Sequence, residues 1–440
     1  MKKIGVIGAG YVGLVSGAGI SDIGHKVICA DINKEKIENI KKGKMPIYEP
    51  GLKELVDRNV KSNRLLFTNQ INETIIKSDI IFIAVGTPEG IAGEADLTHV
   101  FEVALKIAKN LNNYKIICTK STVPVGTGQK IKEIINDNKL ESVDFDYVSN
   151  PEFLREGSAV KDFLWPDRII IGCDSDKVFK SMFEVYQPLF RNKKPIVKTE
   201  ISTAEMVKYA SNAFLALKIS YINEIANLSE VLGCDVKVVA DLIGQDGRIS
   251  PKFLHPGPGY GGSCFPKDTK ALVKLAKNAE VPFKTISAAI DANIYQKERM
   301  FLKLKALLKG KVRGKTITIL GLSFKPNTSD IRESSSIDII SNILRAGGNV
   351  RAFDPIANNS MKKIFPNIKY FSNWEKAVSN SDCVVIMTEW NEFRSLDLFV
   401  LKDKLKTPIL LDTRNIFDQR KLLKLGFSFD TVGRKKNINY

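Results

Sequence analysis

Short apolar runs that stop at glycine or at an acid alternate with helix-like stretches at both ends of the chain. Lys3-Ile4-Gly5-Val6-Ile7-Gly8 runs into glycine, and after a helical stretch Gly24-His25-Lys26-Val27-Ile28-Cys29-Ala30-Asp31 is a strand ending in an acid. Ser78-Asp79 then opens the buried strand Ile80-Ile81-Phe82-Ile83-Ala84-Val85, which stops at Gly86-Thr87-Pro88. The same series returns late in the chain. Thr316-Ile317-Thr318-Ile319-Leu320-Gly321 is again strand into glycine, Gly347-Gly348-Asn349-Val350-Arg351-Ala352-Phe353-Asp354 again ends in an acid, and Ser381-Asp382 opens Cys383–Met387 before Thr388. Strands alternating with helical patterns predict parallel sheets with crossover helices, and two copies predict two nucleotide-binding-like domains.

The texture between the copies differs. Thr203 to Leu232 contains no proline or glycine and carries Met206, Ala210, Ala213, Phe214, Leu217, Tyr221, Ile225, Leu228 and Leu232 at helical spacing. One long amphipathic helix is expected, stopped at Gly233, with a second helical stretch from about Lys267 to Lys309 broken near Pro282. The expected architecture is α/β: two Rossmann-like doubly wound domains, residues 1–200 and 301–440, joined by a long-helix central domain, residues 201–300, that offers a dimer face.

Composition narrows the class. A chain of 440 residues with 44% apolar content can bury large cores, which excludes disorder. No apolar run reaches the roughly 18–20 residues of a membrane span. Met1-Lys2-Lys3 leads straight into a strand and a glycine turn, unlike a signal peptide, so the expected location is the cytoplasm. The net charge of +17 raises nucleic-acid binding, but the basic residues are scattered and mostly Lys, with no Arg-rich arm. A compositional bias, with a positive field that attracts a polyanionic substrate, accounts for the charge. The six cysteines show no C-x-x-C or metal-ligand spacing. Cys29, Cys118, Cys173, Cys234 and Cys383 read as small buried hydrophobes.

Gly8-x-Gly10-x-x-Gly13 lies between a strand and a helix, where a dinucleotide fingerprint belongs. Gly8 permits the tight turn, Gly10 lets a pyrophosphate approach the backbone, and Gly13 allows close helix–strand packing. The helix N-terminus presents free N–H groups to the phosphates. Asp31, at the end of the next strand, can accept from a ribose 2′-hydroxyl and would repel a 2′-phosphate, favouring NAD over NADP. The late copy replaces the triad with Gly321-Leu322-Ser323-Phe324-Lys325-Pro326-Asn327-Thr328-Ser329-Asp330-Ile331-Arg332. Chemistry alone leaves this loop open between a phosphate cradle built on Lys325 and a solvated connection.

Pro256-Gly257-Pro258-Gly259-Tyr260-Gly261-Gly262-Ser263-Cys264-Phe265-Pro266-Lys267-Asp268 is the other unusual segment. Its glycines and prolines force an ordered, non-repetitive loop that a ligand can approach. Cys264 stands at a helix start beside Lys267, two influences that favour a thiolate nucleophile, and Asp268 is close enough to act on a proton. The competing reading is a buried packing cysteine. A hydride acceptor and a nucleophilic thiol together imply a four-electron oxidation: alcohol to aldehyde, thiohemiacetal to thioester, then hydrolysis to an acid, helped by oxyanion stabilisers and a base.

Ordered motifs along nearly the whole chain resemble those of the UDP-glucose 6-dehydrogenase family, within the wider UDP-glucose/GDP-mannose dehydrogenase group. They are Gly8–Gly13 with Tyr11-Val12, Pro46-Ile47-Tyr48-Glu49-Pro50-Gly51-Leu52, Gly86-Thr87-Pro88, Ser121-Thr122-Val123-Pro124-Val125-Gly126-Thr127, Asn150-Pro151-Glu152-Phe153-Leu154-Arg155-Glu156-Gly157, Lys208-Tyr209-x-x-Asn212, and Gly261–Asp268. The resemblance implies oxidation of UDP-glucose to UDP-glucuronate with two NAD reduced. It implies Cys264 as nucleophile, Lys208 and Asn212 as stabilisers of the oxyanion, Asp268 and a water held with Thr122 as proton handlers, and Glu152 in thioester hydrolysis. It implies Val12, Asp31 and Lys36 at the adenosine end of NAD, with Thr87, Thr122, Glu156, Lys267 and Arg332 along it. Glu152, Phe153, Leu154, Arg155, Lys208, Asn212, Phe253, Leu254, His255, Pro256, Gly257, Gly261 and Lys325 would hold the UDP-sugar, and Arg248 would reach it from a partner subunit of a homodimer. The bland counter-readings are a solvated Lys208 and a helix-start carboxylate at Glu152. The same chemistry on GDP-mannose or a UDP-N-acetylhexosamine is the alternative, and a non-catalytic nucleotide or nucleic-acid binder is the other class. The Lys- and Asn-rich tail after Gly433 matches nothing and is expected to fray.

Overall fold

The computed structural model describes residues 1–140, 142–192 and 195–434, so residues 435–440 of the tail lie outside the described residues. The chain divides after Ser211 into two compact units.

The first unit is built on β1 (Lys3–Ile7), β2 (Lys26–Ala30), β3 (Leu65–Thr68), β4 (Ile80–Ile83), β5 (Lys115–Thr119), β6 (Phe145–Ser149), β7 (Ile169–Cys173) and β8 (Ile196–Thr199). They form one sheet in the order β3-β2-β1-β4-β5-β6-β7-β8. All neighbours are parallel except β6 and β7. Alternation along each strand feeds two cores. Ile80 and Phe82 join the cluster on one face, Ile81 and Ile83 the cluster on the other. A parallel strand covered on both faces has no polar side, which is why β4 reads as an unbroken apolar run. Strand order reverses between β1 and β4, and at such a switch point the loops at the carboxyl ends diverge and leave a crevice for a ligand.

The second unit holds a six-stranded parallel sheet of β9 (Thr316–Leu320), β10 (Asn349–Phe353), β11 (Lys369–Tyr370), β12 (Cys383–Ile386), β13 (Ile409–Asp412) and β14 (Ser428–Thr431), in the order β11-β10-β9-β12-β13-β14. The expected repeat is therefore present, with the same switch between β9 and β12. The long helix spans Ile201–Leu232 and ends at Gly233, whose φ of +77° is the left-handed conformation of a helix stop. The second helical stretch is interrupted as the proline predicts, into Phe265–Asn278 and Lys284–Leu307.

The repeat's second acid has become structural. Asp354, after β10, is buried and receives Leu322 N at 2.7 Å, Ser323 N at 3.1 Å and Trp390 Nε1 at 3.1 Å on Oδ2, with Ile356 N and Ala357 N on Oδ1. Its carboxylate knots the loop after β9 to the loops after β10 and β12. Four cysteines are buried as expected, but Cys234 is exposed. It lies just past the Gly233 stop, where the end of the long helix leaves even Val231 and Leu232 in solvent. Among the described residues no helix is long and apolar enough to cross a membrane.

Asp354→Ala orphans several buried donors at about 1–3 kcal/mol each. We expect urea denaturation to show a loss of about 3 kcal/mol or more, with helix Tyr11–Asp22 and its turn unaffected.

Candidate active site

The fingerprint glycines divide their tasks as the chemistry requires. Gly8 has φ +106°, and a Cβ there would meet the Ala84 carbonyl oxygen at 2.5 Å. A Cβ on Gly13 would lie 1.8 Å from the Gly8 oxygen, so only glycine lets the helix Tyr11–Asp22 approach β1. Around Gly10, by contrast, a Cβ would meet nothing within 4 Å. That open space over exposed helix N–H groups is the cradle a pyrophosphate fills, and the residues fit NAD. Val12 flanks it, half-buried. Asp31 closes the far side. Its Oδ2 receives Ala9 N at 2.9 Å and Lys36 Nζ at 2.7 Å, and its Oδ1 receives Asn33 N at 2.9 Å. Burial opposes ionisation, but these bonds from Lys36, Asn33 and Ala9 outweigh it and hold the carboxyl below its usual range.

A buried carboxylate ties this turn to the 154–159 segment. Glu49 accepts the Tyr11 hydroxyl, Gly157 N at 2.6 Å and Ala159 N at 2.7 Å. Glu156 is thereby carried on a segment anchored to the dinucleotide helix. Arg155 points outward and pairs with Asp162 at 2.6 Å.

The loops after β4, β5 and β6 assemble the polar part of the first unit. Thr87 donates to the Thr122 carbonyl at 3.0 Å. Glu152 and Lys208 are both buried, and the Lys208 ammonium donates to Glu152 Oε1 at 3.1 Å. Neither bland reading holds: Lys208 is not solvated, and Glu152 caps no helix. The ammonium also lies 5.2 Å from the centroid of the Phe153 ring, which the Arg168 guanidinium covers at 3.9 Å. Leu154 N donates to the second Glu152 oxygen. What aims Lys208 is Glu205, one turn earlier on the helix Ile201–Leu232, whose carboxylate accepts Gly126 N and Gly128 N at 2.8 Å each. That carboxylate satisfies the N-terminus of the helix Thr127–Asn138 and sets the register of the long helix.

In the second unit, Cys264 is the N-cap residue of the helix Phe265–Asn278. The residue is half-buried, and its sulfur lies 3.6 Å from Ser263 Oγ. Burial pushes the Cys29 thiol up to about 12 and raises those of Cys118 and Cys383, so these three are inert. Asp268, one turn after Cys264 and buried, accepts Asn212 Nδ2 at 2.6 Å on one oxygen and Lys267 Nζ at 2.6 Å on the other. The Lys267 charge is thus shared with Asp268 rather than directed at the sulfur alone.

The glycine loop is strapped by amides that the sequence did not single out. Gly257 N donates to Asn223 Oδ1 at 2.8 Å, Gln296 Nε2 donates to Gly257 O at 2.7 Å, and Tyr260 N donates to Asn293 Oδ1 at 2.7 Å. Only their helical positions could have flagged them, since each is a polar residue that its helix buries. Gly261 and Gly262 press on the loop after β9: Cβ atoms there would meet Glu333 O at 2.2 Å and the Phe324 ring at 2.7 Å. Gly262 N also donates to Arg332 O at 2.8 Å. The loop carrying Lys325 and Arg332 is therefore packed against the cysteine loop, not a solvated connection. Leu254 is buried and the Phe253 ring packs at a tilt against Phe265, while His255 is exposed. Arg332 pairs with Asp330 at 2.7 Å, and Arg248 is exposed and pairs with Asp246 at 2.6 Å. Lys120 was also missed; it follows β5 directly and is buried, with its ammonium 3.1 Å from Asn150 Oδ1.

The chain is similar to known proteins along nearly its whole length. Residues 2–190 match the NAD binding domain of the UDP-glucose/GDP-mannose dehydrogenase family, 202–295 its central domain and 318–419 its UDP binding domain. A UDP-glucose 6-dehydrogenase of Bacillus subtilis (strain 168) is 48% identical over 99% of this chain and 94% of its own length. A UDP-glucose 6-dehydrogenase of Rhizobium meliloti (strain 1021) is 48% identical over 98% of this chain and 99% of its own. The structure of a UDP-glucose dehydrogenase from Pyrobaculum islandicum superposes with a TM-score of 0.90 at 35% identity, covering 96% of each chain. A dinucleotide cradle, a cysteine at a helix start and matches along the full length lead to one conclusion: the chain belongs to the UDP-glucose/GDP-mannose dehydrogenase family.

Proposed function

We propose that this chain oxidises UDP-glucose to UDP-glucuronate with NAD, through a covalent intermediate on Cys264. The observation that carries the mechanism is Cys264 at the N-cap of Phe265–Asn278, partly exposed, in a loop strapped by Asn223, Asn293 and Gln296. NAD, when bound, accepts a hydride in each of two oxidations. In the first, the C6 alcohol loses that hydride and its hydroxyl proton to give an aldehyde. The Cys264 sulfur adds to the aldehyde carbon and its oxygen takes up a proton, giving a thiohemiacetal. Loss of a second hydride and the hydroxyl proton leaves a thioester, and water cleaves the carbon–sulfur bond to give the acid and the free thiol.

Lys208 and Asn212, four residues apart on one helix face, are the oxyanion stabilisers in this scheme. Asp268, which Asn212 orients, takes protons together with a water held at Thr122, and Glu152 assists the hydrolysis. Gly8, Gly10, Gly13, Val12, Asp31, Lys36, Thr87, Thr122, Glu156, Lys267 and Arg332 hold NAD. Phe153, Leu154, Arg155, Phe253, Leu254, His255, Pro256, Gly257, Gly261 and Lys325 hold the sugar nucleotide. The working division remains residues 1–200, 201–300 and 301–440, and the setting is the cytoplasm.

A homodimer is part of the proposal. Phe214, Tyr221 and Leu228, seven residues apart on the long helix, are 60%, 51% and 54% exposed, and Val238 and Leu242 nearby are exposed too. An apolar stripe of this kind on a helix marks an interaction face. A second copy brings Arg248 to its partner's substrate.

Purified protein with UDP-glucose is expected to form about two NADH per sugar consumed; one would reduce the enzyme to a simple alcohol dehydrogenase. Cys264→Ser should stop acid formation while NAD affinity, read by fluorescence titration, stays near normal. Asp31→Ser should narrow the preference for NAD over NADP by about tenfold or more in kcat/KM, since it removes a charge that repels a 2′-phosphate. Tyr221→Glu should shift the mass measured by light scattering from dimer toward monomer; an unchanged dimer would place the interface elsewhere.

A further inference from the structure

The Lys208–Glu152 pair poses an electrostatic difficulty. A carboxylate in contact with an ammonium cancels much of the field that the ammonium exerts on a third group. Taken alone the buried pair is formally neutral, and a neutral pair does little for an oxyanion.

One more cation is built into the same strand ends. Thr119 and Ser149 are register partners in β5 and β6, so Lys120 and Asn150 leave the sheet side by side. The Lys120 ammonium donates to Asn150 Oδ1 at 3.1 Å and Asn150 O at 3.4 Å, and lies 5.7 Å from the centroid of the Tyr186 ring. Among the described residues no carboxylate lies within ion-pairing distance of it. Asn150 is held by further bonds: Oδ1 also receives the Tyr186 hydroxyl at 2.5 Å, and Nδ2 donates to Ile170 O at 2.7 Å. The groups whose charge Lys120 senses are Cys118 from β5, Glu152 from the loop after β6 and Lys208 from the long helix. The phenol of Tyr186, at the end of the helix Asp176–Tyr186, completes its surroundings.

We propose that Lys120 is a positioning residue that adds a positive charge beside the Lys208–Glu152 pair: it holds the Asn150–Pro151–Glu152 segment and offsets the Glu152 carboxylate, so that Lys208 can act on an anionic substrate oxygen. The inference rests on the reading of Lys208 as oxyanion stabiliser. A buried cation with neutral acceptors is driven toward its neutral form. Burial pulls Lys120 down to about 8. Below that pH the Lys120 charge is present; as pH rises through it the proton leaves and that charge is lost, so kcat falls on the alkaline side.

The test is the pH profile of kcat for wild type, Lys120→Gln and Lys120→Arg, with Lys208→Met as a reference. Gln keeps a donor for Asn150 but no charge; it should lower kcat roughly tenfold or more at pH 7 with little change in the UDP-glucose KM, and lose the alkaline limb. Arg keeps the charge at every accessible pH, and should restore kcat to within about threefold and carry the plateau past pH 9. A Gln variant with wild-type kcat and the wild-type limb overturns the proposal. Should neither variant fold, a flat wild-type profile from pH 7 to about 9.5 overturns it and a limb near 8 supports it. Retained turnover in Lys208→Met would instead remove the reading of Lys208 itself, so the two failures are distinguishable.

Discussion

A buried lysine has to be received by something, and in this protein that requirement organises the first unit. Lys208 and Glu152 are nearly inaccessible, so each would be costly alone and they are kept by facing each other. The pair forms only if the long helix is held in register against the loops after β5 and β6. Glu205 does this by placing its carboxylate on Gly126 N and Gly128 N. Helix register, loop conformation and the cation's position are thus one interaction network, and the Lys120–Asn150 contact at the ends of β5 and β6 completes it.

The two sheets show how one supersecondary plan serves two ends. Gly8 and Gly321 both end a strand at a switch point with positive φ, and in both a Cβ would strike the loop after the neighbouring strand. The acids that follow have diverged. Asp31 receives three donors, only one of them on Oδ1, which leaves acceptor capacity for a ligand. Asp354 spends both oxygens on backbone and indole donors, and stabilises its own loops instead. The same residue type at the same place can bind or brace, depending on how many protein donors reach it.

Much of the site was legible because its chemistry is local. The glycine triad, Asp31 and the placement of Cys264 before a helix need only a few neighbouring residues to be recognised, whereas Lys208 and Asn212 were singled out by the family resemblance. Lys120, Glu205, Asn223, Asn293 and Gln296 were not legible, because each looks like an ordinary polar residue on a helix or beside a strand. Their significance comes from partners 30 or more positions away in the chain. Cys234 failed for a related reason: it follows the Gly233 helix stop, and only the tertiary structure shows that this helix end faces solvent.

Read alone, the sequence determined the alternation of strands and helices, the two parallel sheets, the long helix with its glycine stop, and the family. These follow from hydrophobic periodicity and backbone permissiveness, which act over a turn or a strand. Tertiary structure decided which charges are buried, which are paired and which carboxylates are already spent. Those are properties of distance and solvent exclusion, and both are set only when strand ends far apart in the chain are brought side by side.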